Sequence, residues 1–499
     1  MTLSVCLPNQ QVEPRNSFVR AGANTRGKTK CQALIRAGLG DLVYFSRDAE
    51  YNGTITTYYA ADVQDVKPSC IFKPKTAVDV SKAIKVLNSQ EGKNFPVAIR
   101  SGGHAPYASN NIKDGVVIDL SRLNSVTHKP CNGKPGIVSV GTGARWGEVY
   151  NTIQAQGIMV AGARENRVGL GGFMLGGGFS WYSGYRGICA DNVVAYEIVL
   201  ADGTITSVTA SNKPDLFRAL KGGLNNLGIV TRFDIQAFAA KDVYGGLVAY
   251  PWSQANTIVD IFVEMTDNIA KNRAESGFVA LSWGPDVGSS VVFITGQVDG
   301  EANTPMAKKL TDLKPLLDIR AKQPLTNLTA QVASTSGLYN IWYTLSTQNT
   351  RDMARKVVSV FEKHVAALEK LNIVEPIRFI IVYTPVPKVF GTNKNILGLD
   401  NLKTNTMVLQ PEALFPTKKW ESLVQGKLRD ATAEIDAYAK KTKQDAPFLY
   451  INYANPEQNP LRGYGKENGM FLAKAAKKWD SEGYFQRKNV AGEFKLDDL

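Results

Sequence analysis

Short apolar runs alternate with segments of helical periodicity between about residues 67 and 240. Residues 76–87 place apolar side chains at helical spacing, and the apolar run 96–99 leads directly into a glycine-rich loop. The dipeptide Asp202-Gly203 separates two β runs and is typical of a hairpin turn. The same patterns predict a helix over 146–156 and β runs over 69–72, 116–120, 136–140, 193–200, 204–208 and 228–238.

The pattern changes after about residue 241, where longer amphipathic segments appear. Strands interleaved with such helices predict a sheet that is covered by helices. The tail from residue 447 returns to β and helical patterns and could belong to either half of the chain. The predicted helices cover 257–270, 353–371 and 420–440, and the predicted β runs cover 277–283, 290–297 and 378–383.

Length and composition narrow the classes of protein that fit. A chain of 499 residues exceeds what one hydrophobic core usually supports, so two domains are expected. Its net charge of +13 comes from basic residues scattered among acidic ones, which favours a solvated surface over a nucleic-acid partner. No apolar stretch is long enough to span a membrane. The first twenty residues lack the apolar core of a secretory signal, so the chain is expected to be either intracellular or a mature secreted form.

Cysteine and histidine are too scarce for metal chemistry. The five cysteines and three histidines show no spacing that is typical of a metal site, and we expect no catalytic metal.

Three glycine-rich segments carry the candidate chemistry. Arg100-Ser101-Gly102-Gly103-His104 follows a β run, where successive backbone N–H groups can cradle an anion. Eight glycines fall within residues 169–187, without the spacing of a Rossmann or P-loop motif. Such density indicates backbone lying against a large planar or phosphorylated ligand, the alternative being a flexible linker. The third segment, 221–231, adds Asn225 and Asn226.

Taken in order, these segments resemble the FAD-linked oxidases of the vanillyl-alcohol-oxidase (PCMH-type) superfamily. The tail motif Tyr450-Ile451-Asn452-Tyr453 is similar to that of the berberine-bridge-enzyme-like branch, especially its fungal members of secondary metabolism. The resemblance implies an α+β fold, with a two-lobed FAD-binding domain and a substrate domain whose antiparallel sheet is covered by helices. The implied division is an N-terminal segment 1–64, an FAD-binding domain 65–240, a substrate domain 241–445 and a segment 446–499 that returns to the FAD domain.

The resemblance also assigns residues to the cofactor. His104 matches the histidine that is bonded to the flavin, and Glu165 stands where some members place a second, cysteine link. We therefore expect FAD to be held by a single covalent bond. Cys31 and Cys70 match a pair of cysteines in fungal relatives. The positions expected at the cofactor are Arg100, Ser101, Gly102, Gly103, His104, Ser109, Val168, Gly169, Gly171, Gly172, Leu175, Gly176, Gly177, Gly178, Asn226, Gly228, Ile229, Val230 and Asn452.

Removal of a hydride next to a hydroxyl or amine also requires a base for the proton. The candidates are Tyr450, Tyr182 and Glu165, with Tyr450 favoured. Its phenol would need Arg164 or Arg167 to lower its pKa. Each tyrosine could instead simply pack against the flavin.

The expected activity is oxidation of a small, hydrophobic metabolite, with O₂ as acceptor and H₂O₂ as product. Val168 matches a position whose small side chain leaves room for oxygen in oxidase members. A redox-silent cyclase on the same scaffold and a non-catalytic flavin-binding protein are the alternatives. The sequence leaves the substrate and the oligomeric state open.

Overall fold

The structure is a computed structural model that describes residues 31–89, 95–392, 394–487, 489–492 and 494–496. Residues 1–30 of the predicted N-terminal segment and 497–499 of the predicted C-terminal segment lie outside the described residues.

The first sheet has four strands in the order β1-β2-β4-β3, and β4 pairs in parallel with both β2 and β3. Helix α3 follows β2 and begins with a capping box, in which Thr76 and Asp79 each accept a hydrogen bond from the other's backbone N–H. The loop after β3 holds the Arg100–His104 motif. The elements are β1 Val43–Tyr44, α1 Ala49–Thr56, α2 Ala61–Asp65, β2 Cys70–Phe72, α3 Ala77–Leu87, β3 Val97–Arg100 and β4 Val116–Asp119.

The second sheet is antiparallel and has five strands, in the order β5-β6-β10-β8-β9. A two-stranded pair, β7 with β11, lies beside it. The elements are β5 Val126–Cys131, β6 Lys134–Gly141, α4 Trp146–Gln154, β7 Ile158–Met159, α5 Leu170–Leu175, α6 Ser183–Arg186, β8 Val193–Val199, β9 Ile205–Thr209, α7 Pro214–Ala219, β10 Ile229–Gln236 and β11 Phe238–Ala239.

The third sheet has ten strands, all paired antiparallel. The α+β class and the antiparallel sheet covered by helices are confirmed. The elements are β12 Val243–Pro251, α8 Ala255–Asn268, β13 Glu275–Gly284, β14 Gly288–Gln297, α9 Pro305–Asp312, β15 Leu317–Asp318, β16 Ala321–Gln323, α10 Leu325–Gln331, β17 Tyr339–Trp342, β18 Leu345–Gln348, α11 Arg351–Glu369, β19 Arg378–Val386, β20 Thr406–Phe415, α12 Glu421–Lys441 and β21 Asp445–Ala446.

The two faces of this large sheet serve different purposes. Helices α8, α11 and α12 cover one face, where Phe262, Phe361 and Tyr383 belong to one buried apolar cluster. Because side chains alternate along a strand, Val382 on β19 and Glu412 on β20 point the other way from the residues that join this cluster. The uncovered face therefore borders a cavity.

The C-terminal segment contacts the elements of the two smaller sheets. Its helix α13, Lys466–Trp479, lies on α7, where Arg218 Nη2 donates to Asn468 Oδ1 at 2.8 Å. Near the end of the chain, Val490 forms a bridge with Val97 of β3. The exact domain boundaries stay predictions.

A disulfide joins Cys31 to Cys70, which is the first residue of β2, and both side chains are fully buried. The pairing that the resemblance implied is therefore present. Among the helices of the described ranges, none has the combined length and apolar character that crossing a membrane requires.

Loss of this disulfide should destabilise the first sheet. The cysteines are 39 residues apart in the chain. Closing a loop of that size lowers the conformational entropy of the unfolded chain, which stabilises the folded state by about 3–4 kcal/mol. Changing both Cys31 and Cys70 to Ala should lower the free energy of unfolding by about that amount in a urea titration. Cys131→Ala, at an exposed free cysteine, is the control and should leave the value unchanged.

Candidate active site

A cavity of about 360 Å³ lies where the glycine-rich segments, the open face of the ten-stranded sheet and the C-terminal segment meet. Most of the predicted site residues line it. They are Ser101, Gly102, Gly103, His104, Ser109, Glu165, Val168, Gly169, Gly171, Gly172, Leu175, Gly228, Ile229, Val230, Tyr450 and Asn452.

The backbones of two glycine-rich segments touch at one side of the cavity. A Cβ atom at Gly169 would lie 2.3 Å from the Gly102 nitrogen, and one at Gly102 would lie 2.3 Å from the Gly169 Cα. Ser101 stabilises the contact through two hydrogen bonds. Its Oγ accepts one from the Gly171 N–H at 3.1 Å and donates one to the Thr142 carbonyl at 2.7 Å. Only glycine allows the two segments to approach so closely.

The same segments present backbone N–H groups and open space to the cavity, and a dinucleotide requires both. Within the described residues, the N–H groups of Gly102 and Gly103 donate to no protein acceptor, and Gly103 has a positive φ of 70°. Successive amides in such a turn form an anion-binding concavity. A Cβ at Gly172, which lines the cavity, would meet no atom within 4 Å, so the cavity extends over bare backbone there. These residues fit the pyrophosphate and the flat ring system of FAD.

Arg100 lies behind the loop and outside the cavity. Its Nη1 donates to the buried Asp119 carboxylate at 2.9 Å, and its guanidinium lies 4.4 Å from the centre of the Tyr58 ring. A Cβ at Gly103 would lie 2.6 Å from Arg100 Nε, so the arginine packs directly beneath the turn. The predicted cofactor residue Arg100 therefore shapes the loop from behind.

His104 is held on two sides. The Tyr59 ring stacks on the imidazole, with 4.2 Å between ring centres and 13° between planes. The Glu165 Oε1 atom lies 3.3 Å from His104 Nε2. The Ser334 hydroxyl donates to the other Glu165 oxygen at 3.0 Å.

A second acidic side chain, on the ten-stranded sheet, lines the same cavity as His104 and Glu165, and the sequence analysis missed it. Glu412 on β20 lines the cavity, and Gln410 Nε2 donates to its Oε2. Burial, reinforced by the nearby charge of Glu165, raises the pKa of Glu412 to about 8. The available signal was Gln410 and Glu412 two residues apart in an otherwise apolar run, which places both on one face of a strand.

Tyr450 lines the cavity but does not have the electrostatics that we expected. Its hydroxyl accepts a hydrogen bond from Asn452 Nδ2 at 3.0 Å. Burial raises the Tyr450 pKa well above its usual value, and this outweighs the opposing effect of Arg164. Arg164 donates to Tyr453 Oη at 2.9 Å, and Arg167 donates to the Ser334 carbonyl. The expected lowering by Arg164 is present but too small, and the net shift of the Tyr450 pKa is upward.

The structure places five further predicted residues outside the cavity. Tyr182 packs edge-on against Phe238, with ring centres 4.8 Å apart, and burial raises its pKa. Asn226 donates to the Phe494 carbonyl, so it ties down the C-terminal segment. The other three are the glycines of the turn after α5, Gly176, Gly177 and Gly178, and a Cβ at Gly176 would lie 1.9 Å from Oδ1 of the cavity-lining Asn452.

Comparison with known proteins supports FAD as the cofactor. The FAD binding domain family matches residues 68–209. An FAD-dependent monooxygenase of Aspergillus calidoustus, drtC, is 31% identical over 481 residues, which cover 93% of this chain and 90% of the relative.

Two solved structures share the fold. Glucooligosaccharide oxidase from Acremonium strictum has a TM-score of 0.75 at 17% identity, covering 94% of this chain and all of the other. Berberine bridge enzyme from Eschscholzia californica has a TM-score of 0.74 at 16% identity, covering 93% and 98%. The chain belongs to the same family as the fungal FAD-dependent monooxygenase drtC, and it shares the fold of berberine bridge enzyme. It is an FAD-dependent oxidoreductase.

Gly169→Ala should disrupt the contact between the two glycine-rich segments. The added Cβ cannot fit beside the Gly102 backbone, and forced overpacking of this kind costs about 1–3 kcal/mol. Urea unfolding followed by circular dichroism should show this loss, together with reduced FAD content in the purified protein.

Gly53→Ala is the matched control, because Gly53 lies in α1 and a Cβ there meets no atom within 4 Å. Equal unfolding midpoints for the two variants would show that the Gly102–Gly169 approach is unimportant.

Proposed function

We propose that this protein is an FAD-dependent oxidase that removes a hydride from a small metabolite and passes the electrons to O₂, releasing H₂O₂. The observation that carries the proposal is the position of Glu412, a carboxyl group that lines the same cavity as the glycine-rich segments. FAD, when bound, accepts the hydride. The cavity walls Phe278, Trp342 and Val382 suit an apolar substrate of modest size.

The chain's own residues would hold the cofactor through backbone and a single side chain. The free N–H groups of Gly102 and Gly103 suit the pyrophosphate, while Gly172 and Val168 leave room for the flat ring. His104 would form the one covalent bond, since Glu165 stands where a cysteine would form the second. A neutral imidazole nitrogen is a competent nucleophile near pH 7.

Glu412 is a better base than the favoured sequence candidate. A carboxyl group whose pKa is about 8 can take a proton from a substrate hydroxyl or amine near neutral pH. The amide of Gln410 donates to one carboxylate oxygen and thereby orients the other toward the cavity contents. Tyr450, whose pKa is raised, suits packing beside the cofactor, with Asn452 fixing its hydroxyl.

The similarity to drtC of Aspergillus calidoustus, an FAD-dependent monooxygenase, favours a second candidate, monooxygenase chemistry. An oxidase yields one H₂O₂ for each substrate oxidised and leaves both oxygen atoms in the peroxide. A monooxygenase transfers one atom of ¹⁸O₂ to the product. Mass spectrometry of the product separates the two, and anaerobic bleaching of the flavin by substrate excludes a redox-silent cyclase.

The tether is tested by denaturation. Wild-type protein precipitated with acid should retain its yellow flavin, whereas His104→Ala should release it, because Glu165 occupies the position where a cysteine would form a second bond. The flavin absorbance of the redissolved pellet and of the supernatant measures the fractions of bound and released flavin. Complete release from the wild-type protein would contradict the covalent link.

Glu412→Gln tests the base. Anaerobic flavin reduction by a substrate should slow by about 100-fold or more, the low end of what general-base catalysis contributes. In the wild-type protein the rate should rise with pH up to about 8, because only deprotonated Glu412 accepts a proton. The rising limb should vanish in the variant.

Tyr450→Phe is the companion variant, since it removes the competing candidate while keeping the ring. Its reduction rate should stay within about threefold of the wild-type rate, well below the contribution of a true base. The reverse outcome, with Tyr450→Phe slow and Glu412→Gln normal, would return the role of base to the tyrosine.

A further inference from the structure

Glu165 contacts His104, and the proposed oxidation of the substrate does not use this contact. Its carboxylate lies 3.3 Å from His104 Nε2, and each of the two side chains is only 13% exposed. His104 ends the first glycine-rich segment, and Glu165 lies four residues before Gly169, where the second begins. The contact between them therefore exists only once the two segments have met.

The surroundings hold the pair in this arrangement. Ser334 donates its hydroxyl hydrogen to the Glu165 oxygen that His104 does not contact. The stacked ring of Tyr59 keeps the imidazole from tilting out of its plane and so from flipping about the bond to its Cβ atom. The carboxylate and the imidazole are thus each fixed by a neighbour.

The charge of Glu165 decides which imidazole nitrogen carries the proton. Burial alone would raise the pKa of this carboxyl group, but His104 and Ser334 together hold the pKa below its usual value. Glu165 is therefore ionised near neutral pH, and an ionised carboxylate only accepts hydrogen bonds. Nε2 must carry the hydrogen, which leaves the lone pair on Nδ1.

We infer that Glu165 is a positioning residue for the covalent attachment of FAD, because it fixes His104 in the tautomer whose Nδ1 can attack the flavin. The inference rests on the proposed tether. It assigns to Glu165 a task in maturation of the enzyme, separate from the substrate base Glu412.

The attachment step balances as follows. The flavin 8α-methyl group loses a proton, and Nδ1 forms a bond to that carbon. The two electrons of the broken C–H bond stay on the flavin ring, which is thereby reduced and takes up a proton. Glu165 stabilises the positive charge that develops on the imidazole and receives the Nε2 proton. Dioxygen then takes two electrons and one proton from the reduced flavin and a second proton from Glu165, giving H₂O₂ and oxidised, tethered FAD.

Glu165→Gln tests the inference, because the amide keeps the size of the side chain but loses the charge. Proteins are produced with added FAD, and the fraction of flavin that survives acid precipitation is followed over time. We expect the variant to bind FAD but to tether it at least about tenfold more slowly, the usual effect of removing an orienting partner. Glu165→Asp, which restores a carboxylate, should recover part of the rate.

Glu467→Gln is the matched control, since it makes the same change at an exposed position of α13 outside the cavity. It should tether FAD at the wild-type rate. Wild-type tethering in Glu165→Gln, or equal slowing in Glu467→Gln, would overturn the inference while leaving the tether itself intact. A wild-type protein that never tethers FAD would overturn both.

Should Glu165→Gln fail to fold, Ser334→Ala carries the test. It leaves the carboxylate in place and removes one hydrogen bond that orients it, so tethering should slow measurably. A rate equal to that of the wild-type protein would then count against the inference.

Discussion

The close approach of the Gly102 and Gly169 backbones is the constraint on which the site depends. It brings the loop after β3 against the start of α5, two elements that are distant in the chain. This contact sets the distance between His104 and Glu165, and it exposes the backbone amides toward the cavity. A side chain at either glycine would push the segments apart and remove both features together.

Electrostatics gives different roles to two partly buried carboxyl groups. Glu165 has a histidine and a serine as partners and stays ionised, whereas an amide and a like charge lie near Glu412. Two groups of the same chemistry thus differ in protonation near neutral pH because their surroundings differ. Glu165 suits holding the imidazole hydrogen in place, and Glu412 suits accepting a proton from the substrate as the pH rises toward its pKa of about 8.

Sequence reasoning found the glycine-rich half of the site because that half is continuous in the chain. The Arg100–His104 motif and the Gly169–Gly178 run each carry their signal within a dozen residues. It missed β20, since Gln410, Pro411 and Glu412 interrupt the apolar pattern, and proline is uncommon inside a sheet. The role of Glu412 also depends on neighbours that lie hundreds of residues away. The expectation for Tyr450 fell short for a similar reason, because the burial that outweighs the effect of Arg164 on its pKa cannot be judged from the sequence.

The alternation of side chains on the ten-stranded sheet has a consequence for how such enzymes diverge. Val382, Gln410 and Glu412 border the cavity, while their strand neighbours Ile381, Tyr383, Leu409 and Ala413 belong to the helix-covered core. Exchanges at the cavity-facing positions would alter which molecule fits without loosening the core or touching the glycine-rich segments. New specificities can therefore arise by single replacements on one sheet face, while the machinery for the cofactor is inherited unchanged.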